Sequence, residues 1–451
     1  MSKMNRQLLT DEASNPFARL PTEVIQYIAY LLPSDDDVAK FSSACTFLAA
    51  KVLPSESSIW RGRFGDKYDI PRGRCSTDLK IEYQIRAIVL SQKISFKYGE
   101  KEEQMIWLEV IRDMLLESGI CENEQLSSKT FKKIREVLSG ADFLNRPVSG
   151  YGRKEPRSPS DLFCAVQLCL TDLALDPSMV FRCLRTDYDI RIVYSYHADI
   201  IESLVSIEKL NMANILHIRN FWLRHFLNPD EATFCDSFTK LPECHRPKTR
   251  KNLAEKSTKL SMLWLGYYSC IHPYPGTLSC LETRQTCADL DSHWTQVEPM
   301  SLQIKINQDP QNWPPLFDSI ISIRSADSNR TYFRGIQKTY GIDDEPANLV
   351  RGFTEPIPEP QGGFPGWTRI CFAIYDADRE QLPLIVNEGN DQENDTPWLP
   401  DEEWPPFDLA FEFNWIHGYE GVLLPGGRIM MGRWIDMIET TARGPFIFWD
   451  L

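Results

Sequence analysis

Few residues in this 451-residue chain have types and spacing that could do chemistry. Cys235, Cys244 and His245 fall together in a polar stretch and come nearest to a zinc set. No fourth ligand stands at a recognisable spacing, so no metal is expected. The twelve cysteines include no Cys-x-x-Cys pair and read as reduced thiols. The seven histidines are dispersed, and His417, in Ile416-His417-Gly418-Tyr419, reads as a turn residue. Arg428 and Arg433 flank Met430 and Met431. In a strand, Arg428 and Met430 share one face, and Met431 and Arg433 the other. An arginine held there could capture an acidic or C-terminal group of a peptide. It could equally bridge to Glu412 or Asp436, and Arg324 and Arg369 invite the same two readings. Asp343-Asp344-Glu345 and Asp401-Glu402-Glu403 read as solvated charge. No Gly-x-Ser-x-Gly, phosphate loop, Gly-x-Gly-x-x-Gly or His-Glu-x-x-His occurs. No catalytic residue and no cofactor are therefore expected, and the chain reads as a non-enzyme.

Tryptophan is the other concentrated resource, with nine of the twelve after residue 260. Trp313 precedes Pro314-Pro315, Trp367 follows Gly362-Gly363-Phe364-Pro365-Gly366, Trp398 precedes Leu399-Pro400, and Trp404 precedes Pro405-Pro406. Loop tryptophans beside prolines suit a binding mouth on a rigid frame. Trp313, Trp367, Trp404, Arg428 and Arg433 are the candidate substrate-binding residues, against the plainer reading that the tryptophans cap the ends of a barrel.

The elements that must position these residues differ along the chain. Residues 77–228 show helical spacing: Ile81, Ile85, Ile88 and Val89; Met105, Leu108, Ile111 and Leu115; Phe131, Ile134 and Leu138; then Leu162 to Leu173 after a start at Pro159-Ser160-Asp161. A long helix is expected over 199–227. This region reads as a scaffold of five or six helices, and 229–259 as a linker or surface loop. From residue 260 to 451 the period becomes two, as in Leu302, Ile304 and Ile306, or Ile370, Phe372 and Ile374. Strands are expected at about 262–271, 300–307, 317–324, 330–338, 367–376, 408–416, 419–424, 427–436 and 444–450. Short turns such as Pro425-Gly426-Gly427 favour an up-and-down antiparallel barrel of about eight strands. Leu263-Trp264-Leu265-Gly266-Tyr267-Tyr268 resembles the first strand of lipocalin-like barrels.

Residues 15–66 form a separate small unit. Val24, Ile28, Leu31 and Leu32 make one apolar stripe after Pro21, which suits a first helical position. Ser34 and Asp35-Asp36-Asp37 suit the start of a second helix carrying Val38, Phe41, Cys45 and Leu48. Ile59, Trp60 and Phe64 lie on a third. Three helices of this size leave apolar surface for a partner. The spacing of Leu20-Pro21, Glu23-Val24, Ile28, Leu32, Val38, Phe41, Ala44-Cys45, Phe47 and Ile59-Trp60-Arg61 resembles the F-box. Departures are Thr46, where a basic residue is common, and a long turn before Ile59. The tail, Gly421 to Trp434 and Arg443 to Trp449, is similar to the C-terminal region of a group of fungal F-box proteins.

The resemblance implies a multidomain α+β protein: a three-helix F-box, a helical middle and a lipocalin-like barrel. It implies docking onto a Skp-family adaptor, and through it a cullin and a RING subunit, by Leu20, Pro21, Val24, Ile28, Leu31, Val38, Phe41 and Trp60. The barrel would hold a protein substrate for ubiquitination. The alternative is a lipocalin-like small-molecule binder whose F-box controls its own turnover. The net charge of −14 argues against a general nucleic-acid binder. No signal-peptide core or membrane-length apolar run is found, so a cytoplasmic or nuclear location is expected.

Overall fold

The computed structural model describes residues 16–94, 96, 99–118, 128–141, 143–144, 159–179, 187–195, 204–205, 209–230, 232–248, 253–254, 260–270, 297–307, 313, 329–342, 347–377, 413–438 and 442–451. The chain divides into two compact units. One is Met1–Ile94 with Asp113–Val137, and the other is Ser95–Arg112 with Leu138–Leu451. Among the described residues no helix is long and apolar enough to cross a membrane.

The first unit is helical. A 3-10 turn at Pro16–Arg19 precedes helices Thr22–Leu31, Asp35–Ser43, Thr46–Val52, Ser58–Lys67 and Ser76–Ser91. Four helices thus lie where three were expected. The second stripe divides because Cys45 is extended (φ −160°) and becomes the N-cap of Thr46–Val52. Pro21 also sits one place earlier than expected, at an N-cap with ψ 152°, and Thr22 opens the helix. Ser34 caps Asp35–Ser43, its hydroxyl accepting from the Asp37 N–H. Ile25, Ala29, Val38, Leu48, Val52, Ile59, Trp60 and Phe64 form the interior. Asp35 ties three helices together, accepting from Arg63 Nη2 at 2.8 Å, Lys67 Nζ at 2.8 Å and the Tyr83 hydroxyl at 2.6 Å. Burial pushes the Asp35 carboxyl up, but these hydrogen bonds outweigh it and hold the group below its ordinary range.

The second unit carries a closed barrel in which every strand pairs antiparallel with its sequence neighbour. The strands are β1 (Leu263–Tyr268), β2 (Met300–Ile306), β3 (Thr331–Thr339), β4 (Asn348–Pro356), β5 (Thr368–Ala377), β6 (Phe413–Leu423), β7 (Ile429–Asp436) and β8 (Arg443–Asp450). β8 returns to β1, with Trp264 opposite Asp450. The molecule is therefore mixed α+β, with an eight-stranded antiparallel up-and-down barrel. Two differences from the expected strands stand out. β4 was not anticipated, and β6 runs unbroken through Gly418, which pairs with Ala373 on one side and Ile435 on the other. The expected strand at 317–324 lies outside the described residues.

Alternate positions point inward. Trp264, Met300, Leu302, Ile304, Phe333, Val350, Ile370, Phe372, Ile374, Tyr419, Leu423, Met430, Trp434, Phe446 and Phe448 form one buried cluster. Gly421 and Gly432 face each other across β6 and β7. A Cβ at either would meet the facing backbone and lie 2.8 Å from the Phe446 ring. The bare glycine pair is what lets that ring lie flat on the wall. Gly432→Val is expected to cost about 3 kcal/mol by overpacking, read as a lower urea midpoint with an unchanged m value.

The outer wall is covered as well. Helix Met212–Leu227 packs on β7 and β8 and is buried almost all round. Helix Ala232–Lys240 stands where a linker was expected. Its Phe234 and Phe238, four apart, pack with Phe226, and Phe226 and Phe238 stack at 4.5 Å. Phe226 and Phe238 also meet Trp449, and Phe226 meets Tyr267, both on the outside of the barrel. Of the long helix expected over 199–227, the described part begins at Met212, after a bridge between Val205 and Leu210.

Candidate functional site

Three features of the described residues are open to a partner: two helical faces in the first unit, one of them Ile81, Ile85 and Ile88 on helix Ser76–Ser91, and one cavity in the barrel. On helix Thr22–Leu31, Ile25 and Ala29 turn inward and are fully buried, while Val24, Tyr27 and Leu31 are 40%, 61% and 60% exposed. At spacing i, i+3 and i+7 these three lie on one face. Leu20, 37% exposed, precedes them, and Ile28 beside them is half-buried. Pro21 is exposed and Phe41 half-buried, with Phe17 edge-on to Phe41 at 5.7 Å. Val38 and Trp60 do not join this face. Val38 is 3% exposed. Trp60 is inside the unit, with Nε1 donating to the Pro54 carbonyl at 3.1 Å and its ring beside Tyr83 and under Lys80 Nζ.

The barrel is packed at one end and hollow at the other. Phe372, Phe446 and Phe448 fill the middle, with Phe372 stacked on Tyr419 at 4.5 Å. Beyond them is a cavity of about 520 Å³, lined by Tyr268, Met300, Gln337, Asn348, Ile374, Trp415, His417 and Tyr419, with Ser269, Cys270, Thr339, Val297, Glu298 and Phe234 completing its wall and rim. His417 is not in a turn. It lies within β6 on the same face as Trp415 and Tyr419, because Gly418 does not break the strand. Its ring sits 4.6 Å from Trp415 and 4.7 Å from Trp434. The Asn348 amide donates to Gln337 Oε1 at 2.6 Å. Burial pushes the Cys270 thiol up to about 12 and the Tyr268 and Tyr419 hydroxyls above their ordinary value, so all three stay protonated.

Burial also lowers His417 to about 4, against the opposing pull of Asp436, whose carboxylate lies 3.9 Å away. His217, on helix Met212–Leu227, is lowered to about 4 by burial as well; Asp189 raises it and Arg433 lowers it further. His217 Nδ1 accepts the Asp189 N–H at 3.0 Å, a bond that a second ring proton would break. An unfolded histidine titrates near 6.5. Between pH 6.5 and 4 the unfolded chain takes up protons that the folded one refuses, so stability is full above 6.5 and falls as pH drops towards 4. Each histidine contributes about 3 kcal/mol over that window. Urea unfolding of the barrel unit at pH 7 and pH 5 is expected to show this loss, and His417→Gln to remove about half of the slope.

The residues picked out from sequence for substrate binding are not brought together. Trp367 is 1% exposed, with Nε1 donating to the Gln361 carbonyl at 3.2 Å; it braces the approach to β5 and is not a mouth residue. Trp313 packs edge-on against Phe353 at 4.9 Å on the outer wall. Trp404 and Trp398 lie outside the described residues, as do Arg324 and both acidic runs. Arg428 pairs with Asp450 at 3.7 Å, and neither Glu412 nor Asp436 is its partner among the described contacts. Arg433 points outward, 7% exposed and opposite Glu420, which Arg369 also meets at 2.6 Å. Cys235 is buried and His245 Nδ1 is 2.5 Å from the Tyr340 hydroxyl. Among the described residues no group of ligating side chains could hold a metal. The cavity residues themselves were missed, although the run Trp415, His417, Tyr419 kept the alternation that would have placed them inside.

Comparison with family models, with curated proteins and with solved structures finds no match to this chain.

Proposed function

We propose that the chain is a substrate-recognition subunit of a Skp–cullin–F-box ubiquitin ligase. One observation carries the reading: the apolar face of Leu20, Val24, Tyr27 and Leu31, left uncovered on a helix whose opposite side is fully buried. Surface of that kind on a small helical unit marks a protein-binding site, and Leu20 and Val24 of this face are among the residues on which the sequence resembles an F-box. In this reading the face docks on a Skp-family adaptor, which brings the cullin and RING subunits. The barrel unit presents a protein substrate. No residue of this chain makes or breaks a covalent bond; the effect is proximity, through raised effective concentration of substrate lysines near the charged ubiquitin carrier. The test is co-expression of the full chain with a Skp-family adaptor and a cullin. Recovery of a stoichiometric complex supports the reading, and a chain that elutes alone overturns it.

A second reading, a lipocalin-like carrier whose F-box governs only its own turnover, is favoured by the cavity at the barrel mouth. It predicts that no other protein accumulates when the chain is removed.

A further inference from the structure

We propose that the barrel cavity is a binding site for an uncharged aromatic small molecule that carries a carbonyl or hydroxyl acceptor. The site stands on the barrel alone and is independent of how the helical face is read. Its volume of about 520 Å³ falls within the span of roughly 300–1,000 Å³ typical of small-molecule sites. Its walls set the shape. Trp415, Tyr268 and Tyr419 line it, with His417 held between Trp415 and Trp434. Ile374 and Met300 complete an apolar surround suited to a flat ring system.

The polar groups set the chemistry. The hydroxyls of Tyr268 and Tyr419 and the Gln337 amide nitrogen line the cavity and donate to no described residue, and the His417 ring beside them lies 3.9 Å from the Asp436 carboxylate. Gln337 and Tyr419 are 6% and 1% exposed. These donors converge where a ligand's acceptor would satisfy them. The phenols and the amide are donors; Gln337 Oε1 is already taken by Asn348. Charge points the same way. Among the described residues no lysine or arginine lines the cavity, and Glu298, exposed at the rim, is its one carboxylate. An anion would meet Glu298 with no cation to hold it. An ammonium would bring donors to a wall that already offers donors.

Two fluorophores that differ by one sulfonate test this. N-phenyl-1-naphthylamine is uncharged, and 1-anilinonaphthalene-8-sulfonate is the same ring system with a negative charge. The full chain is expected to bind the uncharged dye saturably at one per chain, quenching tryptophan emission from Trp415 and Trp434. The sulfonate, and a primary naphthylmethylammonium competitor, should bind at least tenfold more weakly. Asn348→Trp, which fills the cavity, should abolish binding with the near-ultraviolet circular dichroism retained. Thr339→Trp, at the half-exposed end of β3, serves if that variant does not fold. Tyr419→Phe should weaken binding of a carbonyl-bearing analogue about tenfold and leave an all-hydrocarbon analogue unchanged. A flat titration with the uncharged dye, tighter binding of either charged one, or undiminished binding in a folded cavity-filled variant would overturn the proposal.

Discussion

Aspartate at Val24 and Leu31 is expected to abolish capture of a Skp-family adaptor while shifting the stability of the helical unit by no more than about 0.5 kcal/mol. Both side chains are exposed, so a charge there meets water in the free chain. In a docked complex the same charge would be desolvated against an apolar groove. Central contacts of this kind are each worth about 2 kcal/mol or more. Two lost together amount to roughly a thousandfold in affinity. Trp60→Ala is the opposite experiment. Its ring is inside the unit, so the expected outcome is a loss of about 3–5 kcal/mol in stability. Any loss of adaptor binding would then follow from unfolding. Isothermal titration against purified adaptor, beside thermal melts of each variant, separates the two outcomes. Full binding by the double aspartate variant would remove this face from the interface.

Glu420→Ala is expected to cost the barrel unit about 3–5 kcal/mol, more than any surface change. Glu420 points outward from β6 yet is covered, its side chain 11% exposed against 5% for Arg369. It accepts from Arg369 Nη2 at 2.6 Å and lies opposite Arg433 in the β6–β7 register. Alanine would take away the carboxylate while leaving two guanidinium groups covered beside it, and an uncompensated buried charge is the costly state. Removing Arg369 as well, as Arg369→Met with Glu420→Ala, is expected to recover part of the loss, because one of the two covered guanidiniums then no longer needs a countercharge while Arg433 still does. Urea titrations of the two single variants and the double form the cycle. A Glu420→Ala midpoint equal to that of the parent would show that the pair contributes nothing.

Period two located β2, where apolar and polar residues alternate, while β1, β5 and β8 stood out as apolar runs of strand length. It failed at β4, where Leu349, Arg351 and Phe353 face outward but are wholly or half covered, so both faces of the strand are interior. A strand buried on both sides has no polar face to mark it, and Arg351 and Gly352 at its centre read as a loop. Helix Ala232–Lys240 was hidden differently. Its stripe of Phe234, Phe238 and Leu241 is short and sits among prolines and charges, and packing on Phe226 and Trp449 decides its state.

The sites were less legible than the fold. Val24 and Leu31 are picked out for docking by the resemblance, whereas their stripe alone does not say which side of the helix meets solvent; the burial of Ile25 and Ala29 does. Helix Ser76–Ser91 teaches the same lesson. Of its expected stripe Ile81, Ile85, Ile88 and Val89 only Val89 is buried, and Leu79, Tyr83 and Arg86 lie inside with it. An amphipathic pattern gives the faces of a helix, whereas burial depends on what else is near. The cavity could not be read at all, since it is set by which inward positions leave space.

Closure of β8 on β1 also fixes an order of events during synthesis. Trp264 can pair with Leu302 of β2 early, but its partner on the other side, Asp450, is added only at the end of β8. At the usual elongation rate of about 5–20 residues per second, that interval is roughly 10–40 s. The helical unit, whose segments end at Val137, can be synthesised before the barrel has its first strand. Until β8 is free to pair, the chain would carry a sheet open along β1 and β7. In the proposed ligase, the docking face would then be ready well before there is anything to deliver.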